Sequence, residues 1–187
     1  MPPKPVYANK FSNLKYVTTD VELQNTIANC PKCYKLTLYG SLIVPQTALP
    51  NIVLQKKKQN KFFMVIHLQS SYLTSNIGHW LAACVYTQQS CVIVIDPSNN
   101  FHKDPTTPSL LNQFCKKNKL RLFNFNTLLQ SKSSVICGQI CLFFCMKMES
   151  HTFPQMLALR NILRNHSVPF NEWHMLKFVQ RHYKVTF

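Results

Sequence analysis

Residues 131–148 read Ser-Lys-Ser-Ser-Val-Ile-Cys-Gly-Gln-Ile-Cys-Leu-Phe-Phe-Cys-Met-Lys-Met. The first four, Ser131 to Ser134, are polar and make a loop. From Cys137 to Met148 the chain is apolar nearly all round, which marks a helix buried on every side. Cys137 stands at the boundary between the two. A thiol at a helix N-terminus meets the positive end of the dipole and unsatisfied N–H groups, which favour the nucleophilic thiolate. Cys141 and Cys145, one and two turns further in, are expected to be buried and inert. A packing role for Cys137 itself is the alternative, since cysteine is among the residues most often buried.

Working outward, Phe62 to Leu68 is an apolar, β-prone run that reads as a buried strand. Residues 79–86 and 91–96 read as two more, joined by Thr87-Gln-Gln-Ser90, which has hairpin length. Residues 120–125 alternate apolar and polar, as a half-buried strand does. Helices are expected over 20–29, over about 107–118 with Asp104 as cap, and over 154–164 and 171–183. Pro45 and Pro50 mark turns and irregular backbone, Pro97-Ser-Asn-Asn100 a further turn, and residues 70–78 a polar loop. The fold class that follows is α+β, a central mixed sheet packed between helices.

Residues 11–187 read as one domain, preceded by a Pro-rich disordered arm at 1–10. That arm has no apolar h-region, so no secretion signal is expected. No apolar run reaches the ~18 residues of a membrane span. The 187 residues hold 21 Lys+Arg against 6 Asp+Glu, a formal net charge of +15. Such an excess repels itself and points to a polyanionic partner, although charge also simply maintains solubility. Its clusters are Lys56, Lys57 and Lys58 with Lys61; Lys116 and Lys117 with Lys119 and Arg121; and Arg160, Arg164, Lys177, Arg181 and Lys184. They suit sequence-independent DNA binding, with no base-reading motif beside them. The eight cysteines form no disulfide framework. Cys30-Pro-Lys-Cys33 lacks the second pair a structural zinc needs, so no metal is expected.

Glycine is scarce, only three in the chain, and two flank the candidate chemistry: Gly78 precedes His79 and Gly138 follows Cys137. Glycine permits unusual backbone angles and close approach by another chain. His79 opens a strand and Asp96 ends one 17 residues later (96 − 79). A hairpin of those strands sets imidazole and carboxylate side by side. Read alone, Asp96 before Pro97 is a turn-initiating residue. Gln130, seven residues before Cys137 (137 − 130), can donate its amide to an oxyanion beside the Cys137 backbone N–H.

Gly78-His79-Trp80, Asp96-Pro97, Gln130 and Ile136-Cys137-Gly138-Gln139 together resemble the adenovirus-type cysteine protease family, adenain. Its clan includes the SUMO-deconjugating proteases. The order His, acid, Gln, Cys and the two spacings are those of that family, and the resemblance spans residues 22–148. At the N-terminal end it rests on Glu22-Leu23 and Tyr39-Gly-Ser41. The resemblance implies Cys137 as nucleophile, His79 as base, Asp96 as orienting acid and Gln130 as oxyanion donor. Gly78, Trp80 and Gly138 would shape the substrate cleft, with Trp80 covering His79.

It further implies a monomeric endopeptidase that cleaves Gly-containing sites in viral structural precursors, in the host nucleus and virion, with DNA as activator and no required cofactor. The family's activating peptide is disulfide-linked to a cysteine ahead of the Gln. Here only Cys115 lies in that window, further from Gln130 than the pattern asks, which argues against such a peptide. Two other readings remain. One is a protease removing ubiquitin-like modifiers; the other is a basic nucleic-acid-binding module without catalysis, for which no motif is present.

Overall fold

Strands β1 (Ile43–Pro45), β2 (Lys61–Leu68), β3 (His79–Tyr86), β4 (Cys91–Ile95) and β5 (Arg121–Asn124) lie side by side in chain order. The computed structural model describes residues 19–30, 32–38, 41–56, 59–68, 78–100 and 105–183. The expected arm at 1–10, most of the polar loop before His79, Tyr39-Gly40, the helix cap Asp104 and Lys184 lie outside them.

The pairs β2–β3 and β3–β4 are antiparallel, whereas β1 and β5 run parallel to their neighbours. The sheet is therefore mixed. Every residue of β4 and all but the first of β3 are buried. Such continuous apolar strands form where both faces of a sheet are covered. Ala82, Cys84, Ile93 and Ile95 face α3 (Cys137–Ser150), where Ile140 and Phe144 meet them. Leu81, Ala83, Val92 and Val94 face the opposite way, against Leu111 and Phe114 of α2 (Thr106–Asn118). Helices α1 (Asp20–Ala28), α4 (Phe153–Arg164) and α5 (Val168–Tyr183) add Leu23, Met156 and Met175 to the α3 side. The expected α+β layering is what forms.

Local signals explain the boundaries. Thr19 and Glu22 close a capping box on α1, and Thr152 with Gln155 does the same on α4, where Pro154 occupies the first turn. Strand β1 is a difference from the sequence reading, which expects only turns around Pro45. Pro45 is tolerated because β1 pairs with β2 alone, and proline belongs at sheet edges. A 3₁₀ turn, Gln46–Asn51, follows and carries Pro50.

Candidate active site

The sheet delivers one candidate side chain from the start of β3 and another from the end of β4. The ladder of β3 on β4 ends at the pair Ala82–Ile95; His79 lies three residues before Ala82 and Asp96 directly follows Ile95. His79 Nε2 lies 2.7 Å from Asp96 Oδ1, with the two side chains 14% and 3% exposed. The expected pairing across the hairpin is present.

Asp96 also starts the turn. Its Oδ1 accepts from the Ser98 backbone N–H (2.9 Å) and hydroxyl (2.8 Å), and its Oδ2 from the Asn100 N–H (2.7 Å). Its carbonyl accepts from Asn99, whose φ of 52° completes the bend. The turn role and the imidazole-orienting geometry are thus one arrangement. Burial opposes ionisation of Asp96, but the hydrogen bonds from His79 and Ser98 outweigh it and hold the carboxyl below its usual range.

Cys137 is the first residue of α3, reached through the N-cap Ile136, which offers no capping side chain. Its thiol lies near enough to the His79 ring to act on it electrostatically. Because Nε2 faces Asp96, Nδ1 is the nitrogen that remains for the sulfur. Burial favours a neutral ring at His79, yet the bond to Asp96 and the nearby Cys137 raise its pKa from 6.5 to about 9. The site therefore sets an imidazole that favours its protonated form between a buried carboxylate and the first residue of α3.

The remaining cysteines differ. Cys141 and Cys145 are fully buried, and burial pushes both thiols well above the usual value. Burial likewise raises Cys91 and Cys115 to about 11. Cys33 is the exception the sequence does not show. A hydrogen bond with Cys145 lowers it to about 7 against burial. It is nevertheless 0% exposed, with its sulfur 2.9 Å from that of Met146, so reagents cannot reach it without opening the core.

Gln130 is buried, and its backbone N–H donates to the Pro97 carbonyl at 2.9 Å, tying it to the turn after Asp96. Its Nε2 donates one hydrogen to the Ser134 carbonyl, leaving the second N–H for another acceptor. The loop is stapled from the C-terminal helices. Glu172 of α5 is buried and accepts from the Ser131 N–H (2.8 Å) and hydroxyl (3.2 Å). Arg164 of α4 donates to the Asn126 carbonyl (2.7 Å) and to the Thr127 hydroxyl (3.2 Å).

Gly138 is buried inside the first turn of α3. A Cβ at position 78 would run into the His67 ring, which is the close approach a glycine permits. Trp80, expected over His79, is instead 4% exposed with its ring stacked on His67, centroids 4.3 Å apart. The alternation of β3 turns it to the α3 side of the sheet. His67, Ser98 and Glu172 were not singled out from the sequence; the only trace was Ser98 inside the Pro97–Asn100 turn.

Of the basic clusters, Lys57 and Lys58 lie outside the described residues and Lys56 is half-buried. Lys61 corrects the expectation: its ammonium donates to the carbonyls of Met148, Glu149 and His151 at 2.8–3.1 Å, holding the C-terminal end of α3. Lys117 donates to the Pro50 carbonyl at 3.0 Å, while Lys116, Lys119 and Arg121 are exposed. Among the described residues no helix is long and apolar enough to cross a membrane, and no three His, Cys, Asp or Glu side chains cluster to hold a metal.

No protein-family model matches the chain, and no curated protein matches it in sequence. Solved structures do resemble it. ChlaDub1 from Chlamydia trachomatis superposes with a TM-score of 0.58 at 10% identity, covering 98% of this chain and 96% of that one. The Chlamydia abortus effector ChlaDUB gives 0.54 at 9% identity, over 87% and 92%. The SUMO protease Ulp1 gives 0.43 at 13% identity, over 88% and 80%. The chain has the α+β fold of the two Chlamydia proteins over nearly their whole length.

Proposed function

We propose that the chain is a cysteine peptidase with Cys137 as nucleophile, His79 as base, Asp96 as its orienting acid and Gln130 as oxyanion donor. One observation carries this reading. His79 is bonded to a buried carboxylate 2.7 Å away, and Cys137, the first residue of α3, lies beside the same ring. In acyl transfer the Cys137 sulfur bonds to the substrate carbonyl carbon, and the proton held by His79 passes to the leaving amine. The oxyanion lies against the second Gln130 N–H and the Cys137 backbone N–H. Water then takes the acyl group from sulfur, with His79 accepting its proton.

For the substrate, the likeness to ChlaDub1 along both chains supports removal of a ubiquitin-like modifier over cleavage of viral precursors. The precursor reading, with its setting in nucleus and virion, rests on the motifs around His79 and Cys137 and on the +15 charge. Ubiquitin and SUMO, each fused to a C-terminal aminocoumarin, and an internally quenched Gly-Gly-X peptide separate the two. The modifier reading expects the fusions to turn over faster; faster cleavage of the free peptide favours the precursor reading. Cys137→Ala should abolish every reaction, and Gln130→Ala should lower turnover by about 10²–10³, the range for one oxyanion donor. Wild-type turnover in Cys137→Ala would falsify the assignment.

A further inference from the structure

We infer that Ser98 is a positioning residue for the His79 imidazole, sharing the Nε2–H with Asp96; this rests on the peptidase reading above. Ser98 Oγ lies 3.2 Å from His79 Nε2 and 2.8 Å from Asp96 Oδ1. Asp96 is ionised, so the Ser98 hydroxyl donates its hydrogen to the carboxylate. Its lone pairs then face His79, which donates the Nε2–H to both oxygens in a three-centre bond. A ring held by one acceptor can rock about that bond. Two acceptors at different places fix its plane and keep Nδ1 aimed at Cys137.

The placement follows from the backbone. The turn that follows β4 folds Ser98 back beside His79, and the Ser98 N–H is itself bonded to Asp96 Oδ1 at 2.9 Å. The backbone bond does not need the hydroxyl, so Ser98→Ala removes the second acceptor while leaving the turn tied. Ser98→Thr restores a hydroxyl at the same carbon.

The test compares wild type, Ser98→Ala and Ser98→Thr on a Gly-Gly-aminocoumarin peptide, with thermal melting to confirm folding. Hydrogen bonds to charged groups are strong enough that kcat should fall about tenfold in Ser98→Ala with KM little changed, and Ser98→Thr should recover most of it. The rate of Cys137 alkylation by iodoacetamide, followed by mass spectrometry, should fall several-fold in Ser98→Ala, and this readout needs no substrate. A folded Ser98→Ala with wild-type kcat and alkylation rate would overturn the inference, as would a Ser98→Thr as impaired as the alanine variant. Failure of the peptidase reading is a different result, active Cys137→Ala.

Discussion

At the scale of single residues, the His79–Asp96 pair links the candidate site to stability. His79 has a folded pKa of about 9 against an ordinary 6.5, so folding favours its protonated form. That contribution is complete below pH 6.5 and disappears as pH rises through 9. Asp96 has the opposite sign: its carboxyl is depressed, so its contribution is present above the ordinary carboxylate range and lost as acid protonates it. The stability advantage of wild type over His79→Gln in urea unfolding should therefore be largest near pH 6 and shrink steadily toward pH 9. An advantage independent of pH across that window would mean the imidazole is not held as a cation. Asp96→Asn should disturb the turn as well as the ring. An amide can face His79 and Ser98 with its oxygen only by turning its NH₂ toward the Asn100 N–H, where Asp96 now accepts at 2.7 Å.

At the scale of elements, three non-local contacts hold the strands, loop and helix that carry the site. The first is the His67 ring of β2, set against both Gly78 and Trp80 at the start of the adjacent strand β3. Gly78→Ala puts a methyl group into that ring, which must leave its stack or push β3 away at the point where His79 begins. Turnover should drop about tenfold or more, and Gly78→Ala/His67→Ser should recover much of it, because the smaller side chain vacates the space. No recovery in the double variant would show that the constraint is the backbone and not the ring. The second support is Glu172, whose carboxylate reaches from α5 to Ser131, next to Gln130. Glu172→Ala leaves the Ser131 N–H without its acceptor, a loss of about 1–3 kcal/mol by the usual cost of an unsatisfied buried group. Melting temperature and kcat should fall together, and Glu172→Gln, which retains an acceptor oxygen, should be milder in both. Equal damage from Gln and Ala would assign the effect to charge alone. The third is Lys61, which ties β2 to the end of α3 through three carbonyls. Lys61→Met should lower stability.

For the whole molecule, the excess of 21 basic over 6 acidic residues makes the surface field the dominant long-range property. Non-specific duplex DNA should bind, with log affinity falling about 0.9 per log unit of salt for each phosphate contacted. The exposed Lys116, Lys119 and Arg121, where α2 passes into β5, are one cluster of cations on the surface. Replacing all three with alanine should reduce the salt slope by about one unit for each cation that meets a phosphate. Lys61→Met should leave that slope unchanged, since its ammonium is already bonded inside. Anisotropy titrations with random and fixed duplexes at several salt concentrations decide this. Binding insensitive to salt would remove the electrostatic basis for a DNA partner.

The sequence by itself determined what local chemistry specifies. Apolar runs set β2, β3, β4 and α3, and caps and prolines set most helix boundaries. The identities of His79, Asp96, Gln130 and Cys137 stood out because each falls where a strand, loop or helix begins or ends. Only the tertiary structure decided what depends on register and on contacts between distant segments. The three-residue β1 is too short and too close to Pro45 to be visible before β2 is there to pair with it. Ser98 meets His79 because the turn tied to the Asp96 carboxylate folds it back toward the start of β3. His67 closes on Gly78 across a pair of strands, Glu172 reaches Ser131 from 41 residues away, and Lys61 turns from a surface cluster to the end of a buried helix. None of these has a local signature, because a buried donor or acceptor takes the partner the packed chain brings to it, and that partner is chosen by the fold.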